Sequence, residues 1–215
     1  MFRLAVLLFA LLAFDPVGAQ SAAYSTRAEA LKGLRAEDAI RRAEAITWIA
    51  IYGKPADDKA LRQRLSDDSP MVRGVAEQGL WVLWSRSGDK ATDALLAKGT
   101  DAMQAGQFQE AIAAFSEVIR RRPAFAEGWN KRATAFFLAG EFRKSLADCD
   151  EVMKRNPYHF GALAGYGQIY FQQQRYELAI KYWKRALRVN PNMMSLEINI
   201  KAAEELLAES PRQSA

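Results

Sequence analysis

Apolar positions recur three and four residues apart along most of this chain, the spacing that places them on one face of a helix. The helical stretches are punctuated at a fixed interval: Pro123, Pro157 and Pro191 are evenly spaced, thirty-four positions from one to the next, closing the runs RRRP, KRNP and RVNP. Other positions fall into register when the chain is aligned on these prolines. Twenty-eight residues before each Pro stand Leu95, Trp129 and Leu163, and twenty-four before stand Gly99, Ala133 and Gly167. Twenty-one before are Ala102, Phe136 and Tyr170, and fifteen before are the aromatic Phe108, Phe142 and Tyr176. Twelve before are the small Ala111, Ser145 and Ala179, and eight before are Phe115, Cys149 and Trp183.

Each column has a physical reason. Two helices approach closely only where side chains are small, which accounts for the Gly/Ala and Ala/Ser columns, and large apolar residues fill the space beside the crossing. Gly106 and Gly140 suit the left-handed backbone that ends a helix, the prolines sit where a helix cannot continue, and basic residues before them match a helix C-terminus. The pattern resembles the tetratricopeptide repeat, a helix–turn–helix unit of the same period. The resemblance implies an all-α fold, a right-handed α-α superhelix, with repeats at 92–125, 126–159 and 160–193 within a segment 91–193. Gln174 departs from the pattern, standing where the other repeats have Gly, and leaves that turn's geometry open. A repeat cannot bury its own apolar face, so the stack needs a cap; residues 194–208 supply one, with Leu196, Ile200, Ala203 and Leu207 on one stripe, and 209–215 reads as a disordered tail.

Residues 25–90 are helical but lack the register of the repeats. Thr26 and Glu29 form a capping-box pattern, and Ser69-Pro70 reads as an N-cap followed by Pro at the first helical position. DSPMVRGVAEQGLWVLW (68–84) resembles the second helix of a HEAT-like repeat, and AEDAIRRAEAITWIAIYG (36–53) looks like a diverged copy. Aligning Ile40-Arg41 on Val72-Arg73 offsets the copies by thirty-two positions and pairs Trp48, Ile51 and Tyr52 with Leu80, Leu83 and Trp84. The resemblance implies helical hairpins over 20–90; an irregular helical cap stays open as the other reading. Either arrangement is expected to bury its stripes in one continuous solenoid with the repeats. Ahead of it, Arg3, the apolar run Leu4 to Phe14 and the small residues Val17-Gly18-Ala19 have the anatomy of a cleavable signal peptide over 1–19. Eleven helical residues reach roughly 16 Å, about half of a ~30 Å hydrocarbon core. Export follows as an expectation, to the periplasm or outside the cell.

In tetratricopeptide stacks the first helices line a concave groove. Beside the structural columns of each first helix runs a second stripe. In repeat one it is Asp93, Leu96, Thr100, Met103 and Gln104; in repeat two Glu127, Asn130, Thr134, Phe137 and Leu138; in repeat three Gly161, Ala164, Gln168, Phe171 and Gln172. The cap adds Ser195 and Ile198. No Lys or Arg belongs to the stripe. Members of the family that clamp a C-terminal carboxylate do so with groove Lys, Arg and Asn, so a carboxylate clamp is not expected. Met103, Phe137, Leu138 and Phe171 among amides and hydroxyls suit a peptide or helical segment with apolar anchors, its backbone held by Asn130, Gln168 and Gln172. Burial of Phe137 and Phe171 against the neighbouring repeat is the competing reading. Phe137→Glu is expected to abolish partner capture with the fold intact; lost helicity would mark the residue as core.

Composition removes alternatives more than it adds one. A single Cys and a single His among 215 residues rule out a disulfide framework and a Cys- or His-rich metal centre. Cys149 falls in a core column and reads as an inert thiol, His159 as a solvated loop residue, and most of the five Trp as core. Asp148, Asp150 and Glu151 diverge around a helix, and no phosphate loop, HExxH or GxSxG occurs. No catalysis, cofactor or metal is expected. The net charge of +5 gathers on second helices, at Arg120 to Arg122 and at Lys181, Lys184, Arg185 and Arg188. Solvated helix faces explain it, with contact to an anionic envelope surface as the functional alternative. Nucleic acid is disfavoured by the leader and by the missing reader motifs. The expectation is an exported interaction module for protein or peptide segments of the cell envelope. An assembly subunit docking through its N-terminal helices, a basic surface-binding protein and an enzyme with an unrecognised site are the alternatives.

Overall fold

The computed structural model describes residues 23–209, and every regular element among them is helical. The expected leader at 1–19 and residues 210–215 of the expected tail lie outside the described residues. Three helix pairs follow one another: α5 (Lys90–Gln104) with α6 (Phe108–Arg121), α7 (Ala126–Leu138) with α8 (Phe142–Arg155), and α9 (Phe160–Gln172) with α10 (Tyr176–Val189). The cap helix α11 (Met194–Glu209) packs on α10 through Leu196, Ile200 and Ala203. Glu209, placed in the tail by sequence, is its last residue.

The small columns lie at the helix crossings. Ala111, Ser145 and Ala179 are buried, as are Gly99, Ala133 and Gly167. A Cβ on Gly99 would come 2.6 Å from the Phe115 ring, and one on Gly167 would come 2.3 Å from Trp183. In the middle repeat the pairing is relaxed on both sides: Ala133 carries a methyl, and Cys149 stands where its neighbours have an aromatic ring. Each first helix therefore gives up volume only where its partner fills it. Ser145 spends its hydroxyl inside the same crossing, donating to Ala133 O at 2.7 Å.

The turn left open by Gln174 takes the same form as the other two. Gly106 and Gly140 have φ of +76° and Gln174 has +59°. All three turns close with the same six-to-one backbone bond, from Gln107 N to Ala102 O, Glu141 N to Phe136 O and Arg175 N to Tyr170 O, at 2.8–2.9 Å. A side chain in the left-handed region is strained, and glycine is not. Gln174→Gly is expected to raise stability by about 0.5–1 kcal/mol, partly offset by the freer unfolded chain, and thermal melting followed by circular dichroism checks it.

Helices α1 (Arg27–Gly33), α2 (Ala39–Tyr52), α3 (Asp58–Gln63) and α4 (Pro70–Trp84) form two hairpins with short first helices. The Thr26–Glu29 capping box is present. Ser69 is the N-cap before Pro70, but it makes no side-chain capping bond, and Asp67 Oδ1 accepts from its backbone N–H instead.

The two hairpins correspond at an offset of thirty-one positions, one fewer than the sequence alignment assigns. Arg42 Nη1 donates to the carbonyls of Ala36 and Glu37, and Arg73 Nη1 to those of Asp67 and Asp68. Asp38 matches Ser69 as N-cap, and buried Ala45 and Ile49 match buried Ala76 and Leu80. Ile51 and Tyr52, paired in sequence with Leu83 and Trp84, are exposed. Aligning the adjacent arginine Arg41 on Arg73 slipped the register by one.

The expected continuous solenoid is also corrected. Arg42 forks onto Asp67 of the next hairpin at 2.7–2.9 Å, whereas Arg73 reaches Asn192, in the turn after α10, at 3.0 Å. Asn192 in turn donates to Leu65 O at 2.9 Å. Trp81 and Trp84 close over His159 and Phe160, and Phe160 is buried in the N-terminal core beside Val189 and Met193. The ladder of hairpins thus continues onto the loop edge of the second and third repeats rather than as a layer beneath α5. A Cβ on Gly161 would meet the Trp81 ring at 2.4 Å, so this glycine lets the two parts close.

Candidate binding groove

A cleft of about 350 Å³ lies between α7, α9 and α11. Asn130, Thr134 and Phe137 come from α7, Gly161, Ala164 and Gln168 from α9, and Ser195 from α11, all members of the stripe read from sequence. Ala133, Ile169, Met193 and Leu196 add apolar surface. No acidic or basic side chain lines this cleft. On Gly165 a Cβ would meet only Cys149 Sγ, at 3.8 Å, so the space beside it is open. Burial pushes the Cys149 thiol up to about 12, helped by nearby Asp148 and Asp150, so it stays protonated at neutral pH.

The polar groups divide into spent and uncommitted. Thr134 is exposed, and its hydroxyl donates back to Asn130 O at 3.0 Å within the helix. Asn130 is nearly buried, and its Nδ2 donates to Glu127 Oε2 at 3.1 Å. The amides of Gln168 and Asn199 make no side-chain hydrogen bond among the described residues, and both face the cleft. Asn199 was missed by sequence reasoning, which chose Ser195 and Ile198. Ile198 is 70% exposed and lies off the cleft, while Asn199, one helical turn beyond Ser195, lies on it.

The remaining stripe residues lie elsewhere. Leu96, Thr100, Met103 and Gln104 sit on α5, outside this cleft; Leu96 and Met103 pack in the cluster around Phe115, and Thr100 bonds back to Leu96 O. Leu138, Phe171 and Gln172 are also outside it; Phe171 packs on Trp183 and Tyr176, each at 5.6 Å between ring centres. Phe137 lines the cleft but also rests on Phe142 at 5.6 Å, within the cluster of Ala133 and Cys149. A carboxylate there would disturb packing as well as the groove, so Phe137→Glu does not separate the two roles; Thr134, exposed and bonded only within its helix, does.

His159, set aside by sequence reasoning, and Glu127, read there as a groove residue, form a fully buried polar contact. His159 is not a solvated loop residue: it is fully buried and caps α9, its Nδ1 accepting from Ala162 N–H at 3.1 Å. With Nδ1 accepting, Nε2 is the donor, and it reaches Glu127 Oε2 at 3.0 Å. Glu127 is buried as well. Burial by itself would raise its pKa, but the His159 hydrogen bond, with Lys131 at 3.7 Å, holds the carboxyl below its ordinary value. The acidic trio on α8 is dispersed: Asp148 is forked by Arg132, Asp150 accepts from Tyr166, and Glu151 pairs with Lys154 and Arg155. Among the described residues no group of three metal-ligating side chains converges, and no helix is long and apolar enough to cross a membrane.

Comparison with known proteins places this geometry. Residues 96–160 and 163–193 match family profiles described as tetratricopeptide repeat. A TPR repeat-containing protein of Rhizobium etli is 32% identical over 125 residues, covering 58% of this chain and 61% of the relative, so the chain spans less than two thirds of that protein. The first TPR of Spaghetti (RPAP3), solved bound to the HSP90 peptide SRMEEVD, is 24% identical, covers 55% of this chain and 94% of its own, and superposes with a TM-score of 0.53. The first TPR domain of human RPAP3 is 25% identical, over 54% of this chain and 92% of its own, also at 0.53. The TPR2B domain of yeast Sti1, in a complex with pHsp70, is 20% identical, over 54% and 98%, at 0.51.

Proposed function

We propose that this chain, whose residues 96–160 and 163–193 are tetratricopeptide repeats, is a non-enzymatic protein-interaction module that holds an uncharged peptide or helical segment between α7, α9 and α11. The observation that carries this reading is a cleft without a charged side chain, with apolar walls and two uncommitted amides, Gln168 and Asn199. Amides of this kind pair with the backbone of an extended segment, and Phe137, Met193 and Leu196 take its apolar anchors. Among the structures it resembles, the RPAP3 repeat carries an acidic peptide, SRMEEVD. An acidic tail finds no cation in this cleft, so the occupant here is of different chemistry. In this reading the leader at 1–19 exports the chain, and the partners are proteins of the cell envelope. Docking of a partner on the Trp81–Trp84 pair is disfavoured, because both rings are already packed on His159 and Phe160.

A random-peptide library panned on the whole mature chain tests the groove. Uncharged sequences with apolar anchors are expected, and Thr134→Glu is expected to weaken them more than ten-fold, about 1.4 kcal/mol or more, at unchanged helicity and melting temperature. Binders indifferent to Thr134→Glu would overturn the assignment. Intact-mass measurement of the chain from an envelope fraction tests the leader, with Gln20 expected as the first residue.

A further inference from the structure

The seam between the N-terminal hairpins and the repeats carries a second surface, of opposite character to the groove. Two clefts, of about 520 and 560 Å³, run along it. They share the Arg62–Tyr158 contact as a common wall, where the guanidinium lies 3.7 Å above the ring. Lys59, Arg86, Arg122, Arg185 and Arg188 line one cleft or the other, and none of them is in an ion pair among the described residues. Only two carboxylates line either cleft, and both are already engaged. Asp58 accepts from Arg62 at 2.9 Å and from Trp84 Nε1 at 3.0 Å, and Glu127 is held by His159 and Asn130. Positive charge is thus in excess along the seam, though Arg122 lies near Asp89 and Arg86 donates to Ala50 O and Gly53 O. It is built jointly by both parts of the chain: Lys59 stands on α3 and Arg86 just after α4, and Arg122, Arg185 and Arg188 belong to the repeats.

We propose that this seam is a docking site for an acidic, extended segment of a partner protein, separate from the uncharged groove. Charge complementarity gives the sign of the ligand. The shape narrows its class. Cations on two facing walls, α3 and α10, surround a linear chain, whereas a flat bilayer would touch only their rims. A single-stranded nucleic acid needs open aromatic faces on which its bases stack. One face of Tyr158 is taken by Arg62, and Trp84 is stacked on His159 at 4.6 Å between ring centres. Pro55, Phe125 and Val189 add apolar surface between the polar groups, which suits aliphatic side chains spaced between carboxylates.

The test uses the full chain and a short fluorescein-labelled peptide of alternating Glu and Leu, followed by fluorescence anisotropy. Binding is expected to weaken steeply as salt rises. It is expected to fall at least ten-fold in Arg122→Glu and again in the Arg122→Glu/Arg188→Glu double variant. Both arginines are exposed, so unchanged helicity and melting temperature are expected, and a charge reversal at Lys59 serves as the independent check. Thr134→Glu is expected to leave this binding unchanged, which separates the seam from the groove. A peptide that fails to bind, or one that ignores the reversals, would overturn the proposal. So would an oligo-dT strand or phosphatidylglycerol vesicles binding more tightly than the peptide at equal charge.

Discussion

Gly167→Ala is expected to destabilise the chain by about 1–3 kcal/mol, the usual cost of forcing extra volume into a packed crossing, although alanine is the better helix former. The methyl would stand 2.3 Å from the Trp183 ring, which is fully buried and donates Nε1–H to Ala164 O at 3.2 Å. The ring cannot yield without leaving that bond and the cluster around Ala179 and Leu196. Trp183→Cys alone opens a cavity and is expected to cost about 3–5 kcal/mol. The two together reproduce the Ala133–Cys149 pair of the middle repeat. The double variant is therefore expected to be more stable than the sum of the two losses allows, by at least about 1 kcal/mol of coupling. Urea unfolding of the wild type, both singles and the double measures that coupling directly. Strict additivity would mean that the glycine and the aromatic ring do not answer one another, and the account of the columns would fail.

That complementarity was half legible in the sequence. The small and large columns could be read because the period set by the three prolines repeats each steric demand three times. What the period could not show was which column faces which; the contact of Gly99 with Phe115 and of Gly167 with Trp183 needed coordinates. The groove was legible on α7 and α9, where the stripe continues the same period, and less so on α11, where the period ends and Asn199 replaced Ile198. The docking of the hairpins left no local trace. Its bonds join residues as far apart as Arg73 and Asn192, and no periodicity marks a contact made once. His159 carried a signal that went unused. It stands one full repeat after Phe125, the N-cap of α7, so the register already placed it at the start of a helix, where an acceptor has work to do. Its partner Glu127 sits three residues before Asn130 on the stripe assigned to the groove, yet faces inward.

Glu127→Ala is expected to be among the most damaging single changes in the repeats, at about 3–5 kcal/mol. The carboxylate is buried, and its Oε2 gathers the Nε2–H of His159 and the Nδ2–H of Asn130. Removing it strands both donors where water does not reach, and His159 is in turn the cap of α9 and the plate on which Trp84 stacks. One deletion thus loosens a helix start and the seat of the N-terminal hairpins together. In a domain of this length the melting temperature should fall by about 10 °C. Glu127→Gln keeps the shape and one accepting oxygen, and is expected to cost about half as much or less. The charge adds a dependence on pH with a definite sign. His159 and Lys131 hold the folded carboxyl below its ordinary value, so the folded state binds that proton less readily than the unfolded chain does. The stability it contributes is complete above the ordinary carboxylate pKa and is lost as pH falls through the lower, folded value. Melting temperatures measured from pH 7 down to pH 3 should therefore drop more steeply in the wild type than in Glu127→Gln, the two curves converging at the acid end. Parallel curves, or a loss in Glu127→Ala below about 1 kcal/mol, would show that His159 is held by its stacking and its cap alone, within the range of a neutral hydrogen bond.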